Sequence, residues 1–120
     1  MASQLALVEF PADDPSRARS FWAGLLGVTL EPRSEGEGWQ TQAHHAPAVG
    51  VHERGRGPGD SFSLPYFEVE RMASALAQVR SLGGSVIHPG ELWSICQDTE
   101  GSPFGLALRG HAEGTERPGR

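Results

Sequence analysis

Lysine is absent from the 120-residue sequence, and its ten basic residues are arginines scattered along the chain. They are outnumbered by 15 acidic residues, which gives a formal net charge of −5 at pH 7. This balance argues against nucleic acid or an anionic membrane as a main partner. No apolar run approaches the roughly 20 residues of a membrane span. No basic region precedes the apolar start MASQLALVEF, so we expect no signal peptide.

Cysteine is nearly absent too. The single Cys96 excludes an intrachain disulfide, which fits a reducing compartment, and we predict a cytoplasmic protein. No histidine or aspartate partner can be assigned to Cys96 from spacing, so we interpret it as a buried small residue and not as a nucleophile. The lack of lysine beside 16 glycines is typical of a high-GC bacterial genome.

What the chain does contain is a repeat. Residues 6–30 and 63–86 carry the same pattern, in which an alternating apolar run leads into a helical pattern, a glycine and a further apolar run. An offset of 57 residues relates the matching positions: Leu7 and Leu64, Phe10 and Phe67, Ala18 and Ala75, Leu25 and Leu82. The chain therefore contains two copies of one structural unit.

Each copy predicts one helix, over 14–26 and over 71–82. The first has Asp14 as its N-cap and Pro15 at its first helical position, and it ends at Gly27. The second ends at the glycine pair 83–84. Helical spacing predicts these apolar faces: Ala18, Phe21, Trp22 and Leu25 in the first helix, and Met72, Ala75, Leu76, Val79 and Leu82 in the second.

Three strand patterns follow each helix, so each copy is predicted to be a βαβββ module of α+β class. We predict a single domain over 1–109, with module one at 1–53, a glycine-rich linker at 54–61 and module two at 62–109. Residues 110–120 have no apolar periodicity and predict a disordered tail.

Three stretches in this frame are EFPADDPSRARSFWAGLLG, YFEVERMASALAQVRSLGGSVIHPG and DTEGSPFGLAL. They resemble the vicinal oxygen chelate superfamily, the group of glyoxalase I, extradiol dioxygenases, fosfomycin-resistance proteins and bleomycin-binding proteins. The resemblance covers nearly the whole chain except the tail. It implies two tandem βαβββ modules that form a cup-shaped mixed sheet with the helices outside. It also implies a homodimer, and the repeat would build both walls of one ligand pocket.

The resemblance allows the metal site to be tested. Metal-dependent members carry four ligands, typically His or Glu, on four strands. The corresponding positions here are Leu7, Gly50, Leu64 and Gly105, and none of these side chains can bind a divalent cation. We therefore expect no metal and no cofactor.

Strand alternation predicts which residues face the cup and which face the helices. The predicted ligand-binding residues are Leu7, Glu9, Gly50, His52, Leu64, Tyr66, Glu68, Trp93, Gly105 and Arg109. Tyr66 and Trp93 would form an aromatic wall, and Gly50 and Gly105 would widen the pocket. Phe10 and Phe67 would pack under the helices, and Trp22 is expected in the core.

The polar residues of the cup leave alternatives open. Glu9 and His52, on neighbouring strands, could form a catalytic acid/base pair or a satisfied polar contact at the pocket rim, which we favour. Glu68 and Arg109 could hold a polar ligand or form a rim salt bridge.

The remaining histidines carry no predicted function. His44 and His45 are interpreted as solvated residues at a strand end, and His88 as structural. His111 falls in the predicted tail. The sequence does not fix the roles of His44, His45 and His88.

Two function classes follow. The first is a metal-free protein that binds or sequesters a small hydrophobic or aromatic molecule, as the bleomycin-binding branch does. The alternative is a glyoxalase-like lyase, isomerase or dioxygenase that uses Glu9 and His52 or displaced metal ligands. Whether the chain is an enzyme stays open. The predicted partners are a small organic ligand and a second copy of the chain, with no nucleic acid and no membrane.

Overall fold

A computed structural model describes residues 2–42, 44–56 and 60–110. The described residues form eight strands, two α-helices and one short 3-10 turn at Ser34–Gly36. The elements, in chain order, are β1 (Ala2–Ala12), α1 (Pro15–Leu26), β2 (Leu30–Pro32), β3 (Trp39–Thr41), β4 (Ala48–Glu53), β5 (Leu64–Val69), α2 (Met72–Ser81), β6 (Ser85–His88), β7 (Trp93–Gln97) and β8 (Pro103–Leu108). The middle of the predicted linker and the predicted tail beyond residue 110, with His111, lie outside the described residues.

The strands form one mixed sheet in the order β2-β3-β4-β1-β5-β8-β7-β6. β1 is parallel to β4, β5 is parallel to β8, and β1 and β5 pair antiparallel at the centre. Counted outward from the centre, the strand order is β1-β4-β3-β2 in one half and β5-β8-β7-β6 in the other. The first, fourth, third and second strands of each module therefore follow one another in the same order. This arrangement confirms the two βαβββ modules and the α+β class.

The first helix begins and ends as its sequence predicts. The Asp14 side chain accepts a hydrogen bond of 3.1 Å from the backbone N–H of Arg17, and Pro15 opens the helix. Gly27 closes it with φ of 68°, a left-handed conformation that glycine adopts without steric cost. These local signals explain why the observed bounds agree with the predicted ones.

Both helices pack on one face of the sheet. The ring of Trp22 stacks on Phe10 with centroids 4.4 Å apart, and α2 buries Met72, Ala75 and Leu76 against β5, β7 and β8. Cys96 lies fully buried in this second cluster, as predicted. Within the described residues neither helix is long and apolar enough to cross a membrane.

The predicted apolar faces of the helices were too wide. Phe21, Leu25 and Leu82 are 59%, 65% and 69% exposed. Among the apolar side chains of α1, Ala18, Trp22 and Ala23 pack on the core around Val51, and the Phe21 ring meets Trp22 edge-on. Leu82 follows the last residue of α2 as its C-cap and lies beyond the packed turns.

Candidate functional site

The face of the sheet opposite the helices, here called the cup face, collects the predicted ligand-binding residues. Register pairs Glu9 with Gly50 across β1 and β4, and Tyr66 with Gly105 across β5 and β8. An apolar cluster joins the two halves at the centre, formed by Leu7, Ala48, Leu64, Tyr66, Ile95 and Ala107. The prediction that Leu7 of β1 and Leu64 and Tyr66 of β5 lie on the cup face is therefore confirmed.

The first half of the cup face carries a polar cluster. His52 Nδ1 lies 2.7 Å from Glu9 Oε1, and the other Glu9 oxygen accepts a hydrogen bond from Arg33 Nη2. Arg33 Nε donates to Gln40 Oε1 at 2.9 Å. Only 1% of the side chains of Glu9, Arg33 and His52 is exposed. Sequence reasoning placed Glu9 and His52 together but missed Arg33 and Gln40.

Two opposing effects set the charge of Glu9. Burial alone raises the pKa of its carboxyl group, but the Arg33 guanidinium and the hydrogen bond from His52 outweigh burial and hold the pKa below its ordinary value. Glu9 is therefore an anion at neutral pH and a weak base.

His52 faces an acceptor at each ring nitrogen. Nδ1 contacts the Glu9 carboxylate, and Nε2 lies 3.3 Å from the backbone carbonyl oxygen of Asp60. Both ring nitrogens of His52 are therefore engaged by contacts within the protein. Asp60, at the end of the linker, was another residue that sequence reasoning missed.

The second half of the cup face is aromatic. The Trp93 ring meets Tyr66 edge-on, with centroids 5.6 Å apart and planes at 89°, an arrangement that aromatic rings prefer. Tyr66 is only 2% exposed, whereas Trp93 is half-buried. The two rings predicted to form an aromatic wall are thus in contact, and Trp93 is the more exposed of them.

The two cup-face glycines do not leave open space, which corrects the expectation that they widen the pocket. A Cβ at Gly50 would collide with Arg33 and Glu9, and one at Gly105 would collide with the Tyr66 ring. Each glycine lets the side chain of its cross-strand neighbour lie flat against the sheet. The Arg33–Glu9 ion pair therefore lies over Gly50, and the Tyr66 ring lies over Gly105.

The residues at the implied metal positions do not fit a divalent cation. Leu7, Gly50, Leu64 and Gly105 offer no side-chain donor atom, and the Arg33 guanidinium places a positive charge over Gly50. Among the residues that the structure describes, no group of three or more His, Cys, Asp or Glu side chains is arranged to hold a metal ion.

Glu68 and Arg109 meet at the rim. Arg109 Nη1 lies 3.7 Å from Glu68, and Nη2 lies 2.8 Å from Glu70, which sequence reasoning did not include. Because 53% of the Arg109 side chain is exposed, these pairs contribute little to stability.

The remaining candidates lie away from the polar cluster. His44 is exposed, and His45 Nδ1 lies 3.0 Å from the carbonyl oxygen of Pro47 in the turn before β4. His88 ends β6 and pairs with Ile95. Burial raises the pKa of the Cys96 thiol, so Cys96 is a poor nucleophile.

Comparison with known proteins gives one family match and many structural matches. The model of the family described as "Glyoxalase-like domain" matches residues 7–107. No curated protein matches the chain in sequence.

Three solved structures illustrate the structural matches. A glyoxalase/bleomycin resistance protein/dioxygenase superfamily member from Vibrio splendidus 12B01 has a TM-score of 0.57 and 15% identity, over 88% of this chain and 98% of that one. A variant of methylmalonyl-CoA epimerase from Streptomyces coelicolor, in complex with 2-nitronate-propionyl-CoA, has a TM-score of 0.63 and 14% identity, over 98% and 100%. A Legionella pneumophila structure described as NAD-dependent benzaldehyde dehydrogenase has a TM-score of 0.65 and 14% identity, over 85% and 96%. At these identities the likeness shows the fold alone.

Proposed function

Because this chain belongs to the glyoxalase-like domain family, within the vicinal oxygen chelate superfamily that its sequence resembles, we propose that it is a metal-free binding protein for a small hydrophobic or aromatic molecule. The observation that carries the proposal is the content of the cup face. Its four implied metal positions have no side-chain donor atoms, and a ring pair and a charged cluster lie over its glycines.

The division of the cup face suggests what kind of molecule binds there. Tyr66 and Trp93 offer ring faces and edges for an apolar body. The Arg33 guanidinium, which lies over Gly50 beside Glu9, gives module one a positive charge that suits an oxygen-bearing end. The proposed ligand is therefore planar and apolar over most of its length, with one polar end directed to module one.

Entry to this site requires side-chain movement. Tyr66 and Leu64 are almost fully buried, whereas Trp93 is in contact with solvent. Gly105 presents no Cβ under the Tyr66 ring, so the ring packs directly on the sheet at that position. We propose that the ligand enters beside Trp93 and displaces the Tyr66 ring.

The alternative is an enzyme that uses Glu9 and His52, and the 2.7 Å contact between them is the observation that favours it. Against it stands the lowered pKa of Glu9, because a general base works best with a pKa near the operating pH. His52 is also held by two acceptors. These features support a positioning role for the pair more than proton transfer.

The proposed function is tested by mass spectrometry of small molecules that copurify with the untagged protein. We expect a bound aromatic or apolar molecule at near-equal molar ratio and no stoichiometric divalent metal. Trp93→Ala should reduce retention of that molecule at least tenfold, since truncating a central aromatic hot spot costs about 2 kcal/mol or more. Trp39→Ala is the matched control, because this half-buried tryptophan packs on the helix side of the same sheet, and it should leave retention unchanged.

Other results would count against the proposal. Zinc, nickel or iron bound at one equivalent by cup residues would contradict the metal-free site. Equal retention of the copurified molecule by Trp93→Ala and Trp39→Ala would contradict a binding site beside Trp93. If a copurified molecule is turned over and His52→Gln lowers the rate by about 10²–10⁴-fold with binding intact, the enzyme alternative is correct.

We further propose a cytoplasmic homodimer. The single cysteine is buried and free, which supports a reducing compartment. The exposed Phe21 and Leu25 form an apolar stripe on α1, which supports a dimer interface there. Light scattering at micromolar concentration should give twice the chain mass of 12.8 kDa. Phe21→Ser combined with Leu25→Ser should halve it, whereas Leu92→Ser, at another exposed leucine, should not. A monomer mass for the unmodified chain would contradict the dimer.

A further inference from the structure

The duplication allows the helix-side faces of the two modules to be compared position by position. In module one the ring of Trp22 stacks on Phe10, with centroids 4.4 Å apart and planes at 17°. The offset of 57 residues places Val79 of α2 at the position of Trp22, and Phe67 at that of Phe10. Module two therefore keeps the phenylalanine of the strand, as Phe67, but has Val79 in place of the tryptophan of the helix.

A groove occupies the space that the missing ring would fill. It measures about 290 Å³ and lies between α2 and the sheet, lined by Phe67, Ala75, Gln78, Val79, Leu82, Phe104 and Leu106. Phe104 stands at the position of Val49 in module one and meets Phe67 edge-on at 6.3 Å. The larger Phe104 side chain only partly offsets the loss of the indole ring.

The size and lining of this groove select its occupant. An apolar protein cavity of about 150 Å³ is large enough to bind benzene, so the groove has room for one or two fused rings. Its lining is apolar except for Gln78 at the edge, and it opens to solvent beside Leu82, which is 69% exposed. A planar hydrocarbon face fits this groove, and a charged ligand does not.

We propose that the α2 groove is a second binding site, which takes a free planar aromatic molecule of one or two fused rings, stacked on Phe67 as Trp22 stacks on Phe10. The site lies on the opposite face of the sheet from the cup. It is therefore independent of the function proposed for the cup face.

Indole is the probe, because it is the ring that module one supplies from its own chain. We expect saturable chemical-shift changes, in an NMR titration of the full chain, at the methyl groups of Val79, Leu82 and Leu106. Val79→Trp should fill the groove from within and weaken indole binding at least tenfold. Ala77→Trp, which places the same side chain on the exposed side of α2, should leave the affinity unchanged.

A second variant keeps the test decisive if Val79→Trp does not fold. Val79→Trp with Phe104→Val reproduces the trio of Phe10, Trp22 and Val49 found in module one, and it should also lose indole binding. The proposal is overturned if the unmodified chain shows no saturable shifts up to millimolar indole, or if either filling variant binds indole as well as the Ala77→Trp control. It is equally overturned if Val79→Trp converts a dimer to a monomer, because the groove would then be covered by a second copy.

Discussion

Arg33→Met is expected to lower the free energy of unfolding by about 3–5 kcal/mol at pH 8, because it removes one partner of a buried ion pair. Glu9 would stay buried, with His52 as its remaining hydrogen-bonded side-chain neighbour. Chemical denaturation in urea measures the loss. Arg54→Met is the matched control. Its guanidinium pairs with Asp13 at 2.9 Å with both side chains exposed, and such pairs contribute only about 0–1 kcal/mol.

The pH dependence of this loss has a defined sign. In the unmodified chain the pKa of Glu9 is lowered on folding, so the pair contributes stability above the unfolded pKa of about 4.3 and loses it as the pH falls through the folded value. Without Arg33 the desolvation of Glu9 is less compensated and its folded pKa rises. The difference between the two chains should therefore be smaller at pH 4 than at pH 8.

A double variant tests whether the stability lost in Arg33→Met comes from leaving the Glu9 charge buried without its partner. Glu9→Gln with Arg33→Met removes both buried charges and should recover most of the stability lost by Arg33→Met alone. A difference between Arg33→Met and the unmodified chain that does not change with pH would contradict the role assigned to Glu9.

Gly105→Ala is expected to cost about 1–3 kcal/mol, because the new Cβ would enter the space of the Tyr66 ring. Tyr66→Ala should cost about 3–5 kcal/mol as a large buried aromatic side chain. In the Tyr66→Ala background, Gly105→Ala should cost almost nothing further. The coupling energy in the double-mutant cycle is then of the order of the single Gly105→Ala loss.

Gly24→Ala is the matched control for this cycle. Gly24 lies in α1, and a Cβ there would meet no atom within 4 Å. The same substitution should therefore stabilise the chain by about 0.5–1 kcal/mol through helix propensity. If Gly105→Ala has the same sign as Gly24→Ala, the ring does not lie over Gly105.

Much of the fold could be predicted because its signals are local. Asp14, Pro15 and Gly27 define the bounds of α1 within a few residues of sequence. Alternation along β1 and β5 was sufficient to separate the cup face from the helix side, and the repeat provided the pairing of the two modules.

The side-chain contacts on the cup face could be predicted only in part. Arg33 reaches Glu9 from the residue after β2, across two intervening strands, and no spacing in the sequence signals such a contact. Gly50 and Gly105 indicated small residues in the cup but not which side chains would fill the space above them. The exposure of Phe21 and Leu25 was missed because helical periodicity marks an apolar face without showing how much of it the sheet can cover.

The antiparallel pairing of β1 with β5 also limits how the two modules can move relative to each other. Both modules belong to one hydrogen-bonded sheet, so they cannot move apart like two domains about a hinge without breaking bonds at the centre. Under the proposed binding function, access to the cup would therefore depend on the packing of the Tyr66 ring against Trp93, and that packing would set the residence time of a bound molecule.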